Sequence, residues 1–259
     1  MISIPVIYSF ARSGGTLVNQ LLGVHPDLLI LSEVNPAASV VSVARQASDW
    51  LNLIEAAEID QFQELPYAQQ ITLLDKRAKA KGKALIIRDW VTVNYLSTAS
   101  GGLIISSCVL EQPVYLARAG YSVMPLVVTR KAQSVYQSLR SNFSHLSDLS
   151  VDDFLSAYLS YARAVSSFPR VSLEDIQSAP RETLIQILQA LGFSLDYIDM
   201  QLEMFADFRR CTGNNTLVVP SASSHLRQIV PLSSDFLVSN ASLDKDVFKE
   251  VDHLMGYKV

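Results

Sequence analysis

The chain predicts an α/β fold three layers deep, with a central, mainly parallel sheet flanked by helices. Three observations carry that expectation. Short β-branched or Leu-rich runs recur along the 259 residues, and helical apolar patterns separate them. The first run ends in a short loop of Gly and Ser that opens directly into a helical pattern. With 49% hydrophobic and 18% charged residues, the chain is apolar enough for one substantial core and too apolar for disorder. A single domain over residues 1–259 is expected.

The elements follow in order. Residues 2–8 form the first buried strand, and 16–22 form a helix with Leu17, Leu21 and Leu22 on its apolar face. A second strand, 28–31, precedes helical patterns at 37–57 and 67–81. The third strand is 84–88, followed by a helix at 113–119 and a fourth strand at 125–129. Helices at 133–141 and 152–167 lead to a fifth strand at 170–173. Helices at 182–191, 195–206 and 245–255 complete the pattern. Such runs suit parallel strands covered on both faces and joined by right-handed crossovers. Residues 209–240, rich in Asn, Ser and Thr, show no periodicity and read as a functional loop.

Bulk properties exclude several function classes. A net charge of −4 argues against nucleic acid as the main partner. The N-terminus has no basic n-region, and the apolar stretch around 101–110 is too short to span a bilayer. A soluble, cytoplasmic protein without a membrane partner is therefore expected. The two cysteines, Cys108 and Cys211, form no disulfide framework or metal-ligand spacing, so no metal is expected.

Two segments point to anion chemistry. In the first loop, Gly14 and Gly15 let the backbone wrap an anion, and the following helix offers its positive end. Ser13 and Thr16 add hydroxyl donors, while Arg12 supplies a permanent charge with a fork suited to tetrahedral oxyanions. An ordinary strand-to-helix turn explains the same residues more plainly. In the second segment, the strand at 125–129 ends in Arg130-Lys131, at the edge where α/β sheets bind ligands. Ser138 reaches toward that edge from the next helix, unless it is merely a buried hydroxyl bonded back to its own helix.

Together these segments resemble the sulfotransferases that use 3′-phosphoadenylyl sulfate (PAPS). Phe10-Ala11-Arg12-Ser13-Gly14-Gly15-Thr16-Leu17, with His25-Pro26-Asp27 downstream, is similar to that family's loop for the donor 5′-phosphosulfate. Val127-Val128-Thr129-Arg130, with Ser138 eight residues on, is similar to its 3′-phosphate site. Val171-Ser172-Leu173-Glu174-Asp175-Ile176, the later Pro180 and Leu191-Gly192, and the terminal Leu254-Met255-Gly256-Tyr257 look like its remaining landmarks. The order and spacing extend over nearly the whole chain. The sequence departs from the pattern at Gly15, where a Thr is usual, at Lys131-Ala132, where Asp-Pro is usual, and at Leu173, where an aromatic is usual.

The resemblance implies a three-layer P-loop-NTPase-like fold and in-line transfer of a sulfuryl group from PAPS, without a metal. The acceptor would be a hydroxyl or amine on a small molecule or a carrier-bound chain. Arg12, with Ser13, Gly14, Gly15, Thr16 and Leu17, would hold the 5′-phosphosulfate and stabilise the leaving phosphate. Arg130 and Ser138 would hold the 3′-phosphate, with Arg227 as a further ligand in the late loop beside Gly213-Asn214-Asn215. Glu33, after the second strand, would be the general base, tuned by partial burial. It equally reads as a residue preceding a helix capped by Asn35, and His145 is the competing base. Arg88 and Trp90 are candidates for contacting acceptor or sulfuryl group, or else Arg88-Asp89 simply pairs at a strand end above a core Trp90. Residues 37–81 and 104–120 would shape the acceptor site. The oligomeric state is left open. Two other readings stand beside this one. A P-loop kinase or NTPase lacks its G-x-x-x-x-G-K-[S/T] here, and a sulfotransferase-like binding protein without turnover would account for the Gly15 and Lys131-Ala132 departures.

Overall fold

A computed structural model describes residues 2–38, 41–100, 106–208, 210 and 245–258. Five strands form one sheet: β1 (Ile2–Ser9), β2 (Leu28–Val34), β3 (Ala84–Asp89), β4 (Tyr121–Thr129) and β5 (Arg170–Ser172). Their order is β2-β3-β1-β4-β5, and every pairing is parallel. The fold is thus the expected α/β architecture, with all carboxyl ends on one edge. The helices in chain order are α1 (Gly15–Gly23), α2 (Val43–Arg45), α3 (Ile59–Gln63), α4 (Tyr67–Ala80), α5 (Thr92–Tyr95) and α6 (Glu111–Arg118). They continue with α7 (Ala132–Asn142), α8 (Val151–Val165), α9 (Leu173–Ser178), α10 (Pro180–Ala190), α11 (Ile198–Met204) and α12 (Lys245–Leu254).

Alternation along the central strands builds two cores. Ile4, Val6 and Tyr8 of β1 pack with Ile71 and Leu74 of α4, Leu116 of α6, and Phe154, Tyr158 and Tyr161 of α8. On the other face Ile7, Ile86 and Leu126 pack with Val18, Leu21 and Leu22 of α1 and Leu184, Ile187 and Leu188 of α10. Because both faces are covered, the strands read as continuous apolar runs. His25-Pro26-Asp27 serves the turn from α1 to β2. Buried His25 stands edge-on to Tyr197, and its Nδ1 accepts from the Asp27 amide at 3.2 Å.

Three expectations need correction. The long helix over 37–57 is absent. After a turn closed by the Asn35–Ala38 bridge, Ser42 caps only the short α2, and the chain passes into a wide π turn, Gln46–Trp50. The cause is Gln46, whose side chain acts as a strand neighbour for the sheet edge. Its Oε1 accepts from the Ser32 amide at 2.7 Å, and its Nε2 donates to the Ser32 carbonyl at 2.6 Å. Widening the helix there brings the amide to Ser32. Leu173 does not extend β5 but opens α9, because Ser172 caps that helix by accepting from the Asp175 amide. Strand β4 begins at Tyr121 rather than at residue 125, since Pro125 lies within a strand rather than at its start.

Candidate functional site

The loop between β1 and α1 is tight and strained. Arg12 has φ 70° and Gly14 has φ 99°, so two positions lie in the left-handed region. Gly14 is the N-cap of α1, and a Cβ there would stand 2.8 Å from Leu173 Cδ1. The aliphatic residue at 173 therefore packs directly under the loop. Ser13 is fully buried, its Oγ close to the Tyr158 hydroxyl without a well-formed hydrogen bond. Thr16 and Leu17 occupy the first turn of α1, where the Leu17 amide already donates to the Gly14 carbonyl at 3.0 Å.

Arg12, Ser138 and Arg130 converge at the carboxyl ends of β1 and β4. Arg12 Nε donates to Ser138 Oγ at 2.9 Å, and Arg130 Nη1 donates to the Arg12 carbonyl at 3.1 Å. The Arg12 guanidinium also lies 5.9 Å from the Phe143 ring centroid. Surrounding protein displaces water from Arg12 and lowers its pKa; Arg130 lowers it further and Glu33 raises it. Burial likewise lowers Arg130, against the pull of Glu174. Both stay charged near neutrality. The residues assigned to two phosphate sites are thus contiguous, one hydrogen bond apart.

Lys131-Ala132 has a structural explanation. The Ala132 amide, which a proline would lack, donates to Asp252 Oδ1 of α12 at 2.8 Å. A carboxylate thus caps the start of α7. Nearby, the Tyr257 hydroxyl donates to Glu174 at 2.7 Å and fastens the C-terminal segment to α9.

Gly15 is explained by Ser9 and Arg88 together. A Cβ at position 15 would lie 2.3 Å from Ser9 Oγ and 2.8 Å from Arg88 Nη1, so any side chain there collides. Arg88 is 3% exposed and projects from β3 to the α1 side of the sheet. Its Nη2 donates to Ser32 Oγ at 2.8 Å and pairs with Glu33 Oε1 at 3.0 Å. Where the sequence departs from a hydroxyl at 15, the fold places a guanidinium against the same backbone. The alternative reading of an Arg88–Asp89 pair does not hold: consecutive strand residues point to opposite faces, and Arg88 pairs with Glu33. Trp90 is half-buried, its amide donating to the Val34 carbonyl at 3.4 Å.

Glu33 stands where β2 ends. The pairing with β3 slips between Ser32 and Val34, and Glu33 occupies the bulge with φ 54°. The side chain is 30% exposed and ion-paired with Arg88, and Arg12 lies within electrostatic reach of it. Asn35 does not cap a helix; it donates to Asp89 Oδ1 at 2.9 Å and to Asn94 Oδ1 at 2.7 Å and accepts from the Ala37 amide. His145 is exposed on a short turn, tilted against Phe143. Arg227 and Gly213-Asn214-Asn215 lie outside the described residues, as do residues 39–40 and 104–105 of the two segments expected to shape the acceptor site.

Sequence reasoning missed Gln46, the burial of Asp89 against Asn35 and the role of Ser32 in seating Arg88. The left-handed backbone at Arg12 and Glu33 carries no residue-type signal, since neither is Gly or Asn.

The fold resembles that of a sulfotransferase domain. A solved structure described as the sulfotransferase domain from the curacin biosynthetic pathway matches with a TM-score of 0.63 and 16% identity, covering 100% of this chain and 99% of that one. At that identity the likeness is one of fold. No protein-family model and no curated protein matches the chain. Among the described residues, no group of His, Cys, Asp and Glu is arranged to hold a metal ion, and no helix is long and apolar enough to cross a membrane.

Proposed function

We propose that this chain is a PAPS-dependent sulfotransferase acting on a hydroxyl or amine of a small-molecule or carrier-bound acceptor. The observation that carries the reading is the convergence of Arg12, Ser138 and Arg130 beside a glycine-built helix start at the carboxyl edge of a parallel sheet. Two phosphates on one nucleotide need two adjoining cationic sites, and this arrangement offers both. The loop lacks the lysine of an ATP-binding P-loop, which favours this reading over an NTPase.

The donor supplies the sulfuryl group. The α1 amides with Arg12 neutralise charge where the 5′-phosphate leaves, and Arg130 with Ser138 grips the 3′-phosphate. Arg88, buried under Gly15, adds a positive charge beneath the same loop and offsets the hydroxyl that position 15 lacks. Glu33, in its carboxylate form between Arg88 and Arg12, accepts the acceptor's proton. The departures at 15 and 131–132 are accommodated by Arg88 and Asp252, so they do not favour a protein without turnover.

Adenosine 3′,5′-bisphosphate is expected to raise the melting temperature, and ATP with Mg²⁺ is not. Stabilisation by ATP–Mg²⁺ alone would move the chain to the NTPase class. Transfer from labelled PAPS to a panel of alcohols, phenols, amines and carrier-bound acyl chains identifies the acceptor.

A further inference from the structure

Arg88 serves the α1 side of the sheet, and its neighbour Asp89 serves the other. Asp89 is 1% exposed and lies opposite Tyr8 in the β1–β3 pairing. Its Oδ1 accepts from Asn35 Nδ2 at 2.9 Å, and Asn35 Oδ1 accepts in turn from the Ala37 amide at 2.9 Å. Asn35 also donates to Asn94, whose carbonyl accepts from the Cys108 amide at 2.7 Å. Gln112 of α6 completes the clasp by donating to the Val34 carbonyl at 3.0 Å. The bonds to Asn35, to the Ala37 amide and to the Val34 carbonyl grip the chain directly after Glu33, which itself sits in a strained left-handed bulge. A strained residue holds its conformation only where neighbouring contacts over-determine it.

We infer that Asp89 is a positioning residue for Glu33: through the Asn35 side chain it fixes the turn that presents the Glu33 carboxylate to the anion site. The inference rests on the transferase reading above for its catalytic meaning, and on the geometry alone for the link between Asp89 and the turn.

The surroundings of Asp89 make this link pH-sensitive. Burial pushes its carboxyl up to about 7, against the lowering effect of Asn35 and Gln112 and with a further rise from Glu111. The other titratable groups facing it are Tyr8 of β1, Tyr67 of α4, Tyr95 of α5 and Tyr161 of α8, all raised above the usual tyrosine value by burial and therefore neutral. Among the described residues, Asp89 Oδ2 and the hydroxyls of Tyr8, Tyr95 and Tyr161 are buried without a hydrogen-bond partner. A proton on Oδ2 gives this cluster a donor, whereas the ionised form holds Asn35 by a stronger, charge-assisted bond. The Glu33 turn is held most firmly when Asp89 is ionised, so turnover rises as pH rises through about 7.

The decisive measurement is the ¹⁵N signal of the Asn35 side-chain amide and of the Glu33 and Val34 backbone amides between pH 5.5 and 8.5. In the wild type all three are expected to move with one midpoint near 7, and in Asp89→Asn that midpoint disappears. With PAPS and an accepted acceptor, Asp89→Asn and Asn35→Ala should each lower kcat on the order of 100-fold, the scale of a 1 Å misplacement, with bisphosphate affinity unchanged. If Asp89→Asn does not fold, the wild-type titration and Asn35→Ala still decide. An Asn35 amide that stays flat across the range overturns the inference, as does wild-type kcat in Asn35→Ala. Failure to bind the bisphosphate sinks the transferase reading instead, and the titration still tests the link.

Discussion

The two faces of the sheet meet the carboxyl edge in opposite electrical states. On the α1 face, Arg88 lies against the helix start, paired with Ser32 and Glu33, and at the carboxyl edge Arg12 and Arg130 join it, Arg12 meeting Ser138 of α7. On the opposite face, Asp89 is sealed among tyrosines with one oxygen lacking a partner among the described residues. The residues responsible, Arg88 and Asp89, are adjacent on one strand, and the two-residue period of β-structure sends them apart. One dipeptide thus places a guanidinium beneath the helix start on one face and a buried carboxylate against the turn that follows Glu33 on the other. Cations on the first face gain neighbours of opposite charge. The acid on the second is buried at a cost that only a structural task on that turn repays.

Changes around the cationic loop are expected to have the largest effects. In the proposed transfer Arg12 faces the leaving phosphate, so Arg12→Ala should reduce transfer by roughly 10²–10³-fold, measured as single-turnover rate with saturating PAPS. Full activity in that variant would deny the loop its catalytic part. Gly15→Ala comes next. Its Cβ collides with Ser9 and Arg88, so about 1–3 kcal/mol of stability should be lost, read from urea denaturation. Combined with Arg88→Ala the losses should be less than additive, and simple additivity would mean the two positions do not interfere.

The smallest expected effect is on stability, comes from the opposite face and has the reverse sign. The folded-state value of Asp89 lies above that of the unfolded chain, so the native state holds the extra proton between about 4 and 7. The stability from this group is present below that window and is lost as pH rises through about 7. Asp89→Asn should therefore gain in melting temperature relative to the wild type on going from pH 5 to pH 8. A constant difference between the two proteins would show that Asp89 does not titrate there. The pH range that favours turnover is thus the range that weakens the fold.

Much of this was legible in the sequence because it was local. Five apolar runs gave five strands, and the loop carrying Arg12 fell where a helix begins, since Gly14 and Ser13 permit the turn. Arg130 and Glu33 followed from their places at strand ends. What escaped depended on side chains acting across distance. Gln46 abandons a helical pattern to pair with the Ser32 backbone, so an amphipathic stretch reads as one long helix and folds as a short one. Asn35 looked like a cap because Asn-Pro commonly starts a helix, yet Asp89 and Asn94 claim its amide. Gly15 looked like a missing hydroxyl because nothing local announces that Arg88 lies beneath it.

The contact between Gly15 and Arg88 carries a consequence for reading other chains. Space beneath the loop is filled by the Ser9 side chain and by the guanidinium arriving from β3, so a side chain on the helix start needs both of them smaller or directed elsewhere. The two positions should therefore vary as alternatives among sequences of this fold, glycine accompanying arginine and a larger residue accompanying a shorter or differently directed one. A chain carrying glycine at the first position would then be sorted by what its third strand offers, before any motif is consulted.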